Sequence, residues 1–156
     1  MIESLVKILQ TLQGINRTNK EIALAYIWGY LGKWYKWGGD DPSGFDCSGL
    51  AIEYLKAAGL LARKSDTTAD GLWRKFEKQR VKNPYRGCLV FWQRTSDPAK
   101  ASHIEIMLNN KLAIGASGGG SKTLTIADAI NQNAFIKVRD IYSRNNILGF
   151  IDPFKS

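Results

Sequence analysis

Apolar residues recur at helical spacing through the first half of the chain and at every second position through much of the second half, so helices are expected first and strands after them. Leu5, Ile8, Leu9 and Leu12 stand three or four apart with polar residues between them. This predicts an amphipathic helix within residues 1–20, which Gly14 can stop. Thr18 or Asn19 can cap the next helix, whose apolar side is read as Ile22, Ala23, Ala25, Tyr26 and Tyr30 and whose end lies near Gly32. Lys33 to Phe45 is a loop rich in Gly, Asp and Pro. A third helix is expected from about Asp46 to Ala58, before Gly59, and Thr67 or Thr68 can cap a fourth that carries Leu72, Trp73 and Phe76.

The period then changes. Cys88 to Trp92 is a short apolar run of strand type, and Ser102 to Leu108 alternates cleanly from His103 onward. Asn109 to Lys111 reads as a turn, Leu112 to Ala116 as the return strand and Gly118 to Gly120 as a loop; Phe135 to Val138 and Ile147 to Ile151 are further strands. Helices followed by strands indicate an α+β fold and not alternating βαβ units. If Asn109 to Lys111 form a three-residue hairpin loop, Leu108 faces Leu112 and Glu105 faces Gly115. Glu105 and His103, two apart on one strand, leave it on the same face.

Composition adds that 156 residues with 44% hydrophobic and 23% charged content suffice for one domain with its own core. The helix of residues 1–20 is expected to belong to the same domain as residues 21–156. Two cysteines are no disulfide framework, and both are read as reduced. The net charge of +8 favours an anionic partner, such as nucleic acid, a membrane surface or a cell envelope, without choosing among them. The basic residues are dispersed, with a concentration at Arg74, Lys75, Lys78, Arg80, Lys82 and Arg86 that reads as a solvated face. No recognition motif for nucleic acid accompanies that charge, and no apolar run approaches the roughly 18 residues of a membrane span.

Cys47 lies where the Gly-rich loop runs into the third helix. Unpaired backbone N–H groups and aligned peptide dipoles at a helix N-terminus favour negative charge, so a thiol there is expected to ionise more readily. The same N–H groups could stabilise an oxyanion, a contribution of about 3 kcal/mol per donor in well-studied hydrolases. The chain has one histidine, His103, at the head of the alternating strand. Imidazole is the side chain suited to take a thiol proton near neutral pH and later to deliver it to a leaving amine. One plausible nucleophile and one plausible base thus stand in Cys-then-His order.

Tyr35-Lys-Trp-Gly-Gly, then Gly44-Phe-Asp-Cys-Ser-Gly-Leu, Gly87-Cys-Leu-Val-Phe-Trp and Ser102-His-Ile-Glu-Ile together resemble the NlpC/P60 family over about residues 25 to 120. The resemblance implies a papain-like α+β fold with N-terminal helices packed on an antiparallel sheet, a catalytic unit in residues 21–156, and hydrolysis of amide bonds in peptidoglycan stem peptides with no metal or cofactor. It also implies that Tyr35 lies over the site near the thiolate, that Asp46 and Ser48 flank the nucleophile and shape the substrate cleft, and that Ser102 lies beside the base.

Two departures from the family pattern stand out. The family carries a third polar residue, usually histidine, on the return strand, where this chain has Gly115. The expectation is a swap in which Glu105 orients His103 and Gly115 leaves room for it, since a carboxylate accepts the imidazole N–H, fixes its tautomer and stabilises the imidazolium. Ser117 and Asn109 are alternatives for this position, both read as turn residues. The second departure is Cys88, where the family tends to carry aspartate; it is read as a buried, inert thiol. Of Trp34, Tyr35, Trp37, Phe45 and Trp92, some are expected in the core and one or two along a cleft.

The expectation is therefore a cysteine peptidase acting on cell wall, a monomer, with no specific nucleic-acid partner. The N-terminus lacks the basic segment and continuous apolar run of a signal peptide, so delivery through a lysis pore, on a virus particle or by an injection machine is expected. Three other readings remain open: a papain-like acyltransferase or amidase using the same thioester, an inactive wall-binding or particle-structural module, and a nucleic-acid-binding domain.

Overall fold

The computed structural model describes residues 2–5, 18–41 and 43–156. Residues 2–5 are helical and exposed; the rest of the helix expected around Leu5 to Leu12, and Gly14, lie outside the described residues. Helix α1 (Asn19–Trp28) starts at Thr18, whose side chain accepts the Glu21 N–H. Its buried side is Ala23, Leu24 and Ile27, whereas Ile22, Ala25 and Tyr26 are exposed. The segment is apolar on more than one side, so spacing does not select the stripe; packing against the next long helix does.

A two-stranded hairpin, β1 (Asp40–Asp41) and β2 (Gly44–Phe45), folds the Gly-rich segment tightly before helix α2 (Cys47–Ala57). This central helix buries Leu50, Ala51, Ile52, Tyr54 and Leu55. It ends at Gly59, whose φ of +76° lets the chain turn so that the Leu60 N–H reaches Leu55 O at 2.8 Å. Helix α3 (Ala69–Lys75) is capped by Thr68 and buries Leu72 and Trp73, with Phe76 just beyond it also buried.

Six strands follow: β3 (Arg80–Val81), β4 (Leu89–Arg94), β5 (Asp97–Met107), β6 (Leu112–Ser117), β7 (Phe135–Asp140) and β8 (Ile147–Ile151). They form one antiparallel sheet in the order β3-β8-β4-β5-β6-β7. Helix α4 (Ile126–Gln132), absent from the sequence reading, carries a legible capping box of Thr125 and Asp128.

Alternation divides the sheet into two faces. Leu89, Phe91, Ile104, Ile106, Ile114, Ala116 and Ile136 join the helices in the main core. Val90, Trp92, Met107, Ala113 and Ile141 form a smaller cluster on the other parity, which also carries His103 and Glu105. The β5–β6 register pairs Ile106 with Ile114 and Met107 with Ala113, the alignment a three-residue hairpin loop requires. Asn109 Oδ1 holds that loop by accepting the N–H groups of Lys111 and Leu112. Ser117, read as a turn residue, is instead the buried last residue of β6 and pairs with Phe135.

Candidate active site

Asp46 builds the start of α2. Its Oδ1 accepts the Gly49 N–H at 2.7 Å and the Ser48 hydroxyl at 3.2 Å, while Oδ2 accepts the Gly38 N–H at 2.9 Å. One carboxylate thus caps the helix and fastens the Gly-rich loop to it. The approach is close enough that a Cβ at Gly49 would overlap the Gly39 carbonyl oxygen, which explains the glycine in Asp-Cys-Ser-Gly. Asp46→Ala is expected to destabilise the protein by about 1–2 kcal/mol through loss of the cap, and Asp46→Asn by much less, as read by urea unfolding.

Cys47 is the first residue of α2, half-buried, and both cysteines are free. The pairing of β5 with β6 covers Ile106 and Met107, and the backbone N–H of Ile104, just outside that pairing, favours the thiolate. Burial pushes the thiol up to about 12, helped by the neighbouring Asp46 carboxylate, and the N–H groups of Ile104 and Ser48 only partly oppose this. The expectation of a readily ionised thiol is thereby corrected, because desolvation and a like charge outweigh the helix N-terminus. Since the raised pKa leaves little thiolate at neutral pH, iodoacetamide labelling of Cys47 should accelerate about tenfold per pH unit from pH 6 to 9, without a plateau from acid pH. Mass spectrometry reads this at one site because Cys88 is fully buried.

His103 Nε2 lies 2.7 Å from Glu105 Oε1, both side chains being buried. Glu105 rests over Gly115, where any Cβ would overlap its side chain. A third residue, missed in the sequence, completes the group. Arg139 on β7 donates to the same Oε1 from Nε at 3.0 Å and from Nη2 at 2.7 Å. Burial by itself would raise the Glu105 pKa; the hydrogen bond from His103 and the charge of Arg139 reverse this and hold the group below the usual carboxylate range. Burial moves His103 the other way, below its ordinary value, with Glu105 opposing and Arg144 and Arg139 reinforcing. The His103 ring packs against Trp92 at 5.3 Å between centroids, and the guanidinium carbons of Arg139 and Arg144 stand 5.6 and 5.7 Å from the Trp92 ring centre.

A cleft of about 390 Å³ opens beside Cys47. Asp46, Ser48 and Ser102 line it together with Trp37, Asp66 and Arg94. The Ser102 hydroxyl is engaged by the Gln93 carbonyl at 2.9 Å, at the irregularity where β4 and β5 change register. Tyr35 is not among the lining residues. It is buried under Gly119, close enough to Cys47 and Asp46 that their charges add to burial in raising its phenol. Of the aromatic candidates, Trp37 lines the cleft, while Phe45, Tyr35 and Trp92 are buried. Among the described residues no group of three His, Cys, Asp or Glu could hold a metal ion, and no helix is long and apolar enough to cross a membrane.

Residues 32–140 match the NlpC/P60 family. The chain belongs to that family. Its relatives include the bifunctional muramidase/DL-endopeptidase CwlT of Bacillus subtilis, 30% identical over 92 residues, which are 58% of this chain and 27% of that protein. Another is the murein DD-endopeptidase MepH of Escherichia coli, 32% identical over 96 residues, 58% of this chain and 33% of that one. The chain thus spans about a quarter to a third of the length of these relatives. Among solved NlpC/P60-type structures, the peptidoglycan hydrolase RipB of Mycobacterium tuberculosis superposes with a TM-score of 0.64 at 19% identity, covering 86% of this chain and 63% of that one. NlpC2 of Trichomonas vaginalis gives 0.66 at 18% identity, covering 87% and 47%. At such identities these two establish the shared α+β fold.

Proposed function

We propose that this protein is a cysteine peptidase that hydrolyses amide bonds in peptidoglycan stem peptides, with Cys47 as nucleophile, His103 as base and Glu105 as the group that orients the base. The observation that carries the reading is the 2.7 Å contact between His103 Nε2 and Glu105 Oε1, which flank Ile104 on β5, the residue whose backbone N–H favours the Cys47 thiolate. Because a carboxylate occupies Nε2, Nδ1 is the nitrogen left to take the thiol proton.

In this scheme His103 removes the proton as the sulfur attacks the scissile carbonyl, and the backbone N–H groups at the start of α2 receive the negative charge that develops on oxygen. The imidazolium, stabilised by Glu105, protonates the departing amine and leaves a thioester. Water, deprotonated by the neutral ring, then releases the carboxylic acid and restores the thiol. The raised thiol pKa is compatible with this order, since proton transfer can accompany attack without a standing thiolate.

Membership of the family and the endopeptidase names of the curated relatives support a wall peptide as substrate. One of those relatives is named a DL- and the other a DD-endopeptidase, so the bond is the point to measure. Digestion of purified peptidoglycan followed by mass spectrometry of muropeptides tests the proposal. New fragments heavier by one water in total, with a free amine at one new end, are expected. Fragments whose new carboxyl is instead joined to an added amine would identify acyl transfer.

A further inference from the structure

Arg139 stands on β7, two strands away from Glu105 on β5. Neighbouring strands are about 4.8 Å apart, so the guanidinium must cross roughly 10 Å of sheet to reach its partner. The intervening strand permits this because it is bare on that face. Ala113 lies directly beside Arg139, and Gly115 lies under Glu105. The contact then concentrates on one atom. Glu105 Oε1 accepts from His103 Nε2, Arg139 Nε and Arg139 Nη2, whereas the buried Oε2 has no partner among the described residues. Arg139 Nη2 is also 3.4 Å from His103 Nε2. Arginine can only donate and an ionised carboxylate can only accept, so this juxtaposition fits a ring whose proton sits on Nε2 and points at Oε1.

We propose that Arg139 is a positioning residue which, reaching over β6, pins Glu105 as a carboxylate against His103 Nε2 and keeps the ring neutral until it takes the thiol proton. The inference rests on the reading of His103 as the base. Charged groups reach the ring from three directions: Glu105 on its own strand, Arg139 on β7 and Arg144 ahead of β8, the last also feeling the Cys47 thiol at the head of α2. Without Arg139, Glu105 would be a buried anion facing the ring with no cation on its oxygen, and it would draw a proton onto the imidazole. Arg139 therefore sets how acidic the solution must become before the base is lost to protonation.

The chain contains one histidine, so its imidazole C–H signal in a proton NMR titration reports this ring alone. Arg139→Met is expected to move the His103 midpoint upward by about one pH unit or more, within the range opposite charges exert on a neighbour, and Arg139→Lys by clearly less. The acid limb of kcat/KM should move by the same amount in Arg139→Met, a change that a purely structural role would not produce. If the single variant does not fold, Glu105→Gln and the double variant Arg139→Met/Glu105→Gln serve instead, since removing both partners of a buried pair is better tolerated than removing one. The double variant should titrate higher than Glu105→Gln alone. Equal midpoints in either comparison would overturn the proposal. The titration reads the ring whether or not the protein cuts walls, so a failed activity assay counts against the peptidase reading and a flat titration against the role of Arg139.

Discussion

Cys47→Ala is expected to lower the release of peptidoglycan fragments by at least about 10⁴-fold while leaving the urea midpoint close to that of the parent protein. The chemical step needs a nucleophile that becomes part of a covalent intermediate, and no neighbouring side chain can substitute for the sulfur. In a serine hydrolase dissected residue by residue, loss of the nucleophile alone costs about 10⁶ in kcat, with the residue of catalysis coming from binding and oxyanion donors. The fold should tolerate the change because Cys47 is only half-buried and the helix start is held by Asp46, not by the thiol. Labelling of the parent by iodoacetamide should remove activity in proportion to modification. Undiminished fragment release by Cys47→Ala would mean that the sulfur is not the attacking atom.

Glu105→Gln should reduce kcat by about 10²- to 10⁴-fold with KM nearly unchanged, the range spanned by loss of an orienting carboxylate or of general acid–base help. Glutamine fits the same space over Gly115. Its amide oxygen would be held at the Oε1 position, because His103 and Arg139 both present N–H groups there. Geometry and tautomer are thus largely kept while the negative charge that stabilises the imidazolium is removed. KM is the informative partner of this measurement. Glu105 is fully buried and does not line the cleft, so a change confined to kcat would locate its action at the ring. Turnover equal to that of the parent would remove Glu105 from the catalytic machinery.

Much of the neighbourhood of these two residues was legible because it depends on local rules. The alternation from His103 to Leu108 and the loop Asn109 to Lys111 set which residues share a face and which stand opposite each other, and the Ile106–Ile114 and Met107–Ala113 pairs follow that register. Gly115 under Glu105 is a direct consequence. The helix start at Cys47 was equally visible, since Asp46 is a strong capping residue next to a glycine-rich turn. Helix α4 was within reach, as Thr125 and Asp128 form a capping box, but its run is short and mostly exposed, with little periodicity to announce it.

What stayed hidden depends on contacts between distant segments. Nothing near position 139 distinguishes Arg139 from the other dispersed cations. Its function as the partner of Glu105 exists only because β7 pairs with β6 and because Ala113 and Gly115 leave that strand bare. The sense of the Cys47 shift was likewise inaccessible, since a helix N-terminus favours the thiolate while the burial that outweighs it comes from the surrounding fold. The apolar side of α1, expected at Ile22, Ala23, Ala25, Tyr26 and Tyr30, differs from the buried Ala23, Leu24 and Ile27 for the same reason: several faces of that helix are apolar, and only the partner helix selects one.

By itself, then, the amino-acid order determined the α+β class, the helix start at Cys47, the family motifs and the shared face of His103 and Glu105, because spacing, capping and hairpin register act over a few residues. Tertiary structure alone decided which charges surround the imidazole, how far the thiol is removed from water and which aromatic ring faces the cleft. Those properties are set by desolvation and by Coulomb interactions over distances of a few ångströms, and segments far apart in the chain come that close only once the sheet has formed and the helices have packed on it.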